Sequence, residues 1–330
     1  MSDVEILDPD LLICDPHHHL WDFPTSRYLL DELLADTGSG HRIDSTVFVE
    51  CTSMYRATGP ERFKPVGETE FVNGVAAMSA SGGYGRTRAC LGIVGFADLT
   101  SPDVDQVLAA HIAAGGGRFR GIRHAAAWDA SEAINNSHTN PPERLYERAD
   151  FRRGFARLAA HGLSFDAWQY HPQLPELLDL ARAFPATTII LDHVGGPLGI
   201  GPYAGRRDEI FASWSRDIAA LATCPNIVVK LGGLGMTTRG FGFHKREVLP
   251  DYAELAQAWR PYIETCINHF GPARSMFESN FPVDRPSCTY PILWNALKAI
   301  ASGASADEKR LMFHDVAHRV YRLDSQNGDA

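Results

Sequence analysis

The chain has 330 residues, 45% hydrophobic and 22% charged, so it can bury a large interior and lacks the composition of a disordered segment. Its formal charge is −9, from 31 lysines and arginines against 40 aspartates and glutamates, which argues against a nucleic-acid or anionic-membrane surface. The N-terminus holds only the short apolar run Leu11-Leu12-Ile13 without a basic flank, and no run approaches the roughly 20 apolar residues that span a bilayer, so a cytoplasmic protein acting on a small molecule is expected.

In chain order, strands are predicted at Leu11–Cys14, Thr46–Cys51, Ala89–Phe96, Phe119–His124, Leu163–Trp168, Thr187–His193, Asn226–Leu231 and Ser275–Ser279. Each precedes a helix-length segment. Phe151–His161 carries apolar residues at helical spacing with Gly162 as a stop, Leu174–Phe184 is ended by Pro185, and Asp307–Leu323 places Leu311, Val316 and Val320 on one stripe. This alternation predicts a parallel sheet covered by helices, and eight such units at this length favour closure into a (β/α)₈ TIM barrel. The fold class is therefore α/β, one domain over 1–330 with its core at about 11–323. Thr52–Gly85 and Gly195–Arg207, rich in Gly, Pro and Tyr, read as long loops on the catalytic face. The six cysteines are scattered without a C-x-x-C pair and read as reduced thiols.

The first strand runs into Asp15-Pro16-His17-His18-His19. Alternation in an extended backbone puts His17 and His19 on one face and His18 on the other, so the pair suits one divalent metal at a barrel mouth. Other candidates also stand at strand ends. His171 and His193 suit a metal or proton transfer near neutral pH. Glu50 is a carboxylate closing an apolar strand, costly to bury without a cationic partner. Glu278 and Asn280 share a face by the period of two. Arg123 and Lys230 suit recognition of a substrate carboxylate or an oxyanion, with His124 and Tyr170 as weaker contacts.

These residues, with Leu191-Asp192-His193-Val194-Gly195-Gly196-Pro197, Val229-Lys230-Leu231-Gly232-Gly233-Leu234 and the stretch from Phe277 to Val283, resemble the amidohydrolase superfamily, specifically its amidohydrolase-related branch of TIM-barrel metal-dependent hydrolases. The likeness runs from Asp15 to Leu323. It implies that His17, His19 and His171 hold a divalent metal, zinc by its ligand set, and that His193 contacts substrate or moves a proton. Asn280 falls where the family usually has an aspartate that activates water. An amide cannot act as a base at neutral pH, so the departure leaves metal-dependent and metal-free reactions both open, with Glu50 or Glu278 replacing the carboxylate and Glu50 better placed.

The expected reaction is hydrolysis of a small lactone, with or without a carboxylate substituent. Glu50 and His193 would handle the proton, Asn280 would orient water, and Arg123, Lys230 and Tyr170 would hold the substrate. The same branch contains non-oxidative decarboxylases of aromatic or muconate-like acids, and a barrel that only binds its ligand is a further alternative. The resemblance also implies a homodimer.

Overall fold

In the computed structural model, which describes residues 4–323, eight parallel strands form one sheet in sequence order. They are β1 (Leu12–His18), β4 (Arg42–Val49), β5 (Arg88–Gly95), β6 (Phe119–Arg123), β7 (Ser164–Ala167), β8 (Ile189–Leu191), β9 (Ile227–Leu231) and β10 (Ser275–Phe277). A small hairpin, β2 (Trp21–Phe23) with β3 (Ser26–Tyr28), follows β1. The residues just after β10 close the ring. Asn280 N donates to His17 O and His19 N to Phe281 O, each at 2.9 Å. The sheet is thus a nearly closed barrel, as the strand count predicts.

Helices cover its outside, among them α1 (Leu30–Thr37), α2 (Val66–Ala80), α3 (Val104–Ala114), α4 (Ala149–Ala160), α5 (Leu174–Ala183), α6 (Arg207–Ala222), α7 (Tyr252–Phe270) and α8 (Tyr290–Ile300). No helix among the described residues is long and apolar enough to cross a membrane. The alternation of strand side chains divides the interior into two apolar layers. Outward residues such as Phe48, Ile93, Ile122, Phe165 and Ile227 pack on Phe155, Leu177, Trp214 and Ile263 of the helices. Inward residues Val47, Val49, Leu91, Val94, Ile190, Val228 and Met276 fill the lower barrel.

The floor of that lower layer comes from the C-terminus. After α9 (Ala306–Arg310), a π-helical turn at Leu311–Asp315 leads into α10 (Val316–Tyr321), which adds Val316, Val320 and Tyr321 to the inner cluster, with Leu323 just beyond it. With the floor sealed by apolar side chains, the next inward positions up each strand are free for polar groups. Val228 is followed two residues on by Lys230, and Met276 by Glu278.

Three local readings change. β1 continues through the histidines to His18 instead of ending at Cys14, with its pairing to β4 shifted between Asp15 and His18. Thr52–Gly85 is mostly not a loop: it contains α2, hidden in the sequence because Val66–Ala80 is built largely of small and polar residues with no strong apolar stripe. The long covering segment instead follows β6, at 124–148. It is pinned by Tyr170 Oη donating to Asn135 O and by Ser137 N donating to Ala127 O at 2.8 Å.

Candidate active site

The strand ends bring a buried polar cluster to the C-terminal mouth of the barrel, the face on which such barrels carry their chemistry. His17 is its centre. Its ring lies 5.0 Å from that of His19 and 4.5 Å from that of His193, centroid to centroid. His18 points away, hydrogen-bonded to Thr46 Oγ1 at 2.8 Å and packed on Phe48, as alternation predicts. His19 Nδ1 donates to Val49 O at 2.8 Å, which leaves its Nε2 as the lone-pair nitrogen.

Two carboxylates flank His17. Glu278 Oε2 lies 3.0 Å from its Nδ1, and Asp192 Oδ1 lies 3.6 Å away. The other Glu278 oxygen accepts from His193 Nδ1 at 2.7 Å and from the His193 backbone N at 3.2 Å. One carboxylate therefore fixes the His193 tautomer and frees its Nε2. Two glycines make room for this contact. A Cβ on Gly232 would sit 2.4 Å from Glu278 Cγ, and one on Gly233, at φ +63°, would sit 2.5 Å from the His193 ring. The backbone is strained at the same place: His193, Val194 and Asn280 have φ of 55°, 48° and 55°, sparsely populated for side-chain-bearing residues and most costly for the β-branched valine.

Two cations balance part of the charge. Lys230 Nζ, fully buried, donates to Asp166 Oδ1 at 2.7 Å and lies 3.0 Å from Asp192 Oδ1 and 3.1 Å from His17 Nδ1. Tyr321 Oη, rising from the floor, donates to the same Asp166 oxygen at 2.6 Å. Arg123 donates from Nε to Glu50 Oε1 at 2.7 Å and from Nη2 to the Glu50 carbonyl, while its Nη1 lies 3.3 Å from His17 Nε2. His138, from the covering segment, meets Glu50 Oε2 at 2.9 Å.

Burial controls the protonation states. It holds His17, His19 and His193 well below the ordinary imidazole range, assisted by Lys230 at His17 and Arg123 at His19, so all three rings are neutral and able to act as ligands. Burial would raise Glu50, but His138 and Arg123 outweigh it and hold the carboxyl down to about 2. Burial also pushes Asp166 up to about 6 against the pull of Lys230.

The predicted residues divide accordingly. His17, His19, His193, Arg123, Lys230 and Glu50 come together. His171 does not join them: its Nδ1 accepts from Leu198 N at 3.3 Å and its ring packs on Tyr203. Tyr170 spends its hydroxyl on Asn135 and lies in an apolar cluster with Ala125, Ala127 and Trp168. Asn280 uses its amide on Asp284 Oδ1 at 2.8 Å. His124 is a packing residue between Phe96 and Phe151. Of the two candidate replacement carboxylates, Glu278 meets the histidines, whereas Glu50 is bound to Arg123 and His138. Asp192, Asp166 and His138 were not among the candidates. Asp192 and Asp166 carry a legible signal, a carboxylate at the end or middle of a short apolar strand. His138 lies in a covering segment and carries none.

The donor atoms of His17, Asp192 and His193 lie within 4.8 Å of one another. This group fits a divalent cation. Asp192 Oδ2 and Glu278 Oε2 accept no hydrogen bond, and Asp192 Oδ1 has the Lys230 ammonium at 3.0 Å; a further cation on these oxygens would offset the cost of burying them. Four buried carboxylates, Glu50, Asp166, Asp192 and Glu278, face two fixed cations, Arg123 and Lys230. The excess negative charge has the sign and size that a divalent ion neutralises.

The family model described as Amidohydrolase matches residues 14–323, and the chain belongs to that family of TIM-barrel metal-dependent hydrolases. The chain is 34% identical to the uncharacterized protein y4mH of Sinorhizobium fredii, over 95% of this chain and 99% of that one. It is 25% identical to an L-fucono-1,5-lactonase of Burkholderia multivorans, over 94% and 95% of the two chains. Among solved structures it is similar to an amidohydrolase from Burkholderia multivorans with bound HEPES, with a TM-score of 0.73, 25% identity and coverage of 94% of this chain and 99% of that one.

Proposed function

We propose that the protein hydrolyses a small lactone, with a divalent metal held by His17, Asp192 and His193 and with His19 beside them. The observation that carries this reading is the Glu278 carboxylate joining His17 and His193 inside a buried, carboxylate-rich pocket. The likeness to an L-fucono-1,5-lactonase supports a cyclic ester as the substrate class. Zinc suits an imidazole and carboxylate donor set.

When bound, the ion would polarise the ester carbonyl and lower the pKa of the attacking water. The side chains supply the rest. Glu278 Oε2, 3.0 Å from His17 Nδ1, takes the proton of the attacking water and returns it to the ring oxygen as the ester C–O bond breaks. Arg123, fixed by both the side chain and the carbonyl of Glu50, directs Nη1 into the pocket, where it stabilises the developing oxyanion or a substrate carboxylate. Lys230 acts beneath them as the counter-ion that keeps Asp166 and Asp192 together. Trp168, its ring 4.9 Å from that of His193, and the segment carrying His138 exclude bulk water.

The test is chelator-treated protein assayed against a panel of sugar-acid lactones and carboxylated lactones, before and after addition of zinc or manganese. Chelation is expected to abolish hydrolysis, metal to restore it, and His17→Ala or His193→Ala to reduce kcat/KM by about 10³-fold or more. Full activity in both variants, or no hydrolysis by the metal-loaded protein, would overturn the assignment.

A further inference from the structure

The opposite end of the barrel holds a second convergence of metal-ligating side chains. Asp44 stands near the start of β4, His314 lies in the π-helical turn Leu311–Asp315, and His318 follows in α10. Their donor atoms lie within 4.8 Å of one another. The Nε2 atoms of His314 and His318 are 3.7 and 3.9 Å from the same Asp44 oxygen, Oδ2. The two rings stack with centroids 4.0 Å apart and planes at 25°, which sets them side by side with both Nε2 atoms within 3.9 Å of Asp44 Oδ2.

We propose that Asp44, His314 and His318 form a second divalent-metal site, of the zinc class, that clips the C-terminal helix to the barrel floor. In a tetrahedral zinc centre with bonds of about 2.1 Å, neighbouring donors stand about 3.4 Å apart. The spacings to Asp44 Oδ2 exceed that by a few tenths of an ångström, within reach of small side-chain rotations. Two histidines four residues apart on one helical face are a common zinc-binding pair, and π-helical turns occur often at functional sites.

The surroundings suit such a centre. His314 Nδ1 donates to Asp315 Oδ1 at 2.8 Å, a carboxylate partner of the kind that orients metal-binding imidazoles; against burial, Asp44 and Asp315 together raise the pKa of the ring, so an ion would displace a proton from Nε2. His318 Nε2 now meets Ser45 Oγ at 2.9 Å, a contact that metal binding would replace. The Asp44 side chain is 35% exposed while those of His314 and His318 are 14% and 8% exposed, so an ion can enter from solvent and keep a water in its fourth position. The nearby cations are Arg88, whose charge acts on Asp44, and Arg310, 3.5 Å from Asp315.

The clip has a consequence for the catalytic layer. His318 and Tyr321 share α10, and the Tyr321 hydroxyl reaches through the floor to Asp166, the partner of Lys230. Metal at Asp44–His314–His318 would thus restrain the element that supports the base of the active-site network.

Zinc added to the chelator-treated full chain tests the proposal, with bound zinc counted by elemental analysis and calorimetric titration. The wild type is expected to bind one zinc more than His314→Gln or His318→Gln, and Asp44→Asn to weaken that binding at least about 10-fold. If the His17 cluster took no zinc, the wild type would still bind one equivalent that His314→Gln lacks, so the two sites fail separately. Crystals of the unaltered chain soaked in zinc supply a readout that needs no variant. They should show an anomalous peak between Asp44 Oδ2, His314 Nε2 and His318 Nε2. Equal zinc content in wild type and both histidine variants, or no peak at that point, would leave His314 as an ordinary ion-pair partner of Asp44 and Asp315 and overturn the proposal.

Discussion

Glu278 lies against His17 with Oε2 3.0 Å from the imidazole Nδ1, and neither side chain is exposed to solvent. The same carboxylate holds His193 through its other oxygen, so one side chain orients two rings that approach from β1 and from the end of β8. Replacing it by an amide keeps the volume and removes the charge. Glu278→Gln is therefore expected to lower metal affinity about 10–100-fold, as loss of an orienting carboxylate does, and to lower kcat/KM with it. Metal titration of the variant alongside lactone hydrolysis checks this. An unchanged metal affinity would show that Glu278 does not serve the ion.

Lys230 is the internal counter-ion of Asp166 and Asp192. Removing one partner of a buried charge network leaves the other uncompensated, at a cost of about 3–5 kcal/mol. Lys230→Met should lower the unfolding free energy measured by urea titration by an amount in that range, and adding Asp166→Asn should recover part of the loss. A double variant no more stable than the single would mean that the pair is not energetically coupled.

Arg123 uses its fork twice on Glu50, once on the side chain and once on the carbonyl. Lysine preserves the charge but cannot make both contacts. Arg123→Lys is expected to reduce kcat/KM at least about 10-fold with little change in metal content. Full activity in this variant would show that only the charge matters.

Glu68 on α2 gives a pH-dependent prediction. It is buried and accepts from the backbone N of Cys51 and Ser53, and burial, with nearby Glu50 adding repulsion, raises its pKa to about 8. The folded protein thus keeps a proton that the unfolded chain releases from about pH 4.5 upward. That stabilisation is fully present below pH 4.5 and is lost as pH rises toward 8. Glu68→Gln removes the dependence. The variant should match the wild type near pH 4.5 and be more stable near pH 8, by up to about 4 kcal/mol. Thermal melts at both values decide it, and an equal difference at both would refute the protonated state.

Part of the site was legible because strand alternation is a local property. Asp15-Pro16-His17-His18-His19 specifies by itself that His17 and His19 share a face, and the shifted pairing of β1 preserves that outcome. Glu50, Arg123, Lys230 and His193 were recognisable as polar groups closing apolar strands. His171, Tyr170 and Asn280 also end strands, and nothing local distinguishes them from residues that face the mouth. The loops after the strands turn them instead toward Leu198, Asn135 and Asp284.

The sequence alone determined the alternating strands and helices, the closed parallel barrel and the strand ends at which chemistry is carried, since each follows from periodicity along the chain. Only the tertiary structure decided which carboxylate serves His17 and His193. Glu50 and Glu278 end strands that look alike in sequence, but Arg123 claims the first across the barrel, whereas Gly232 and Gly233 open the space that lets the second reach both histidines. Those contacts join distant segments, and their geometry exists only once the ring has closed.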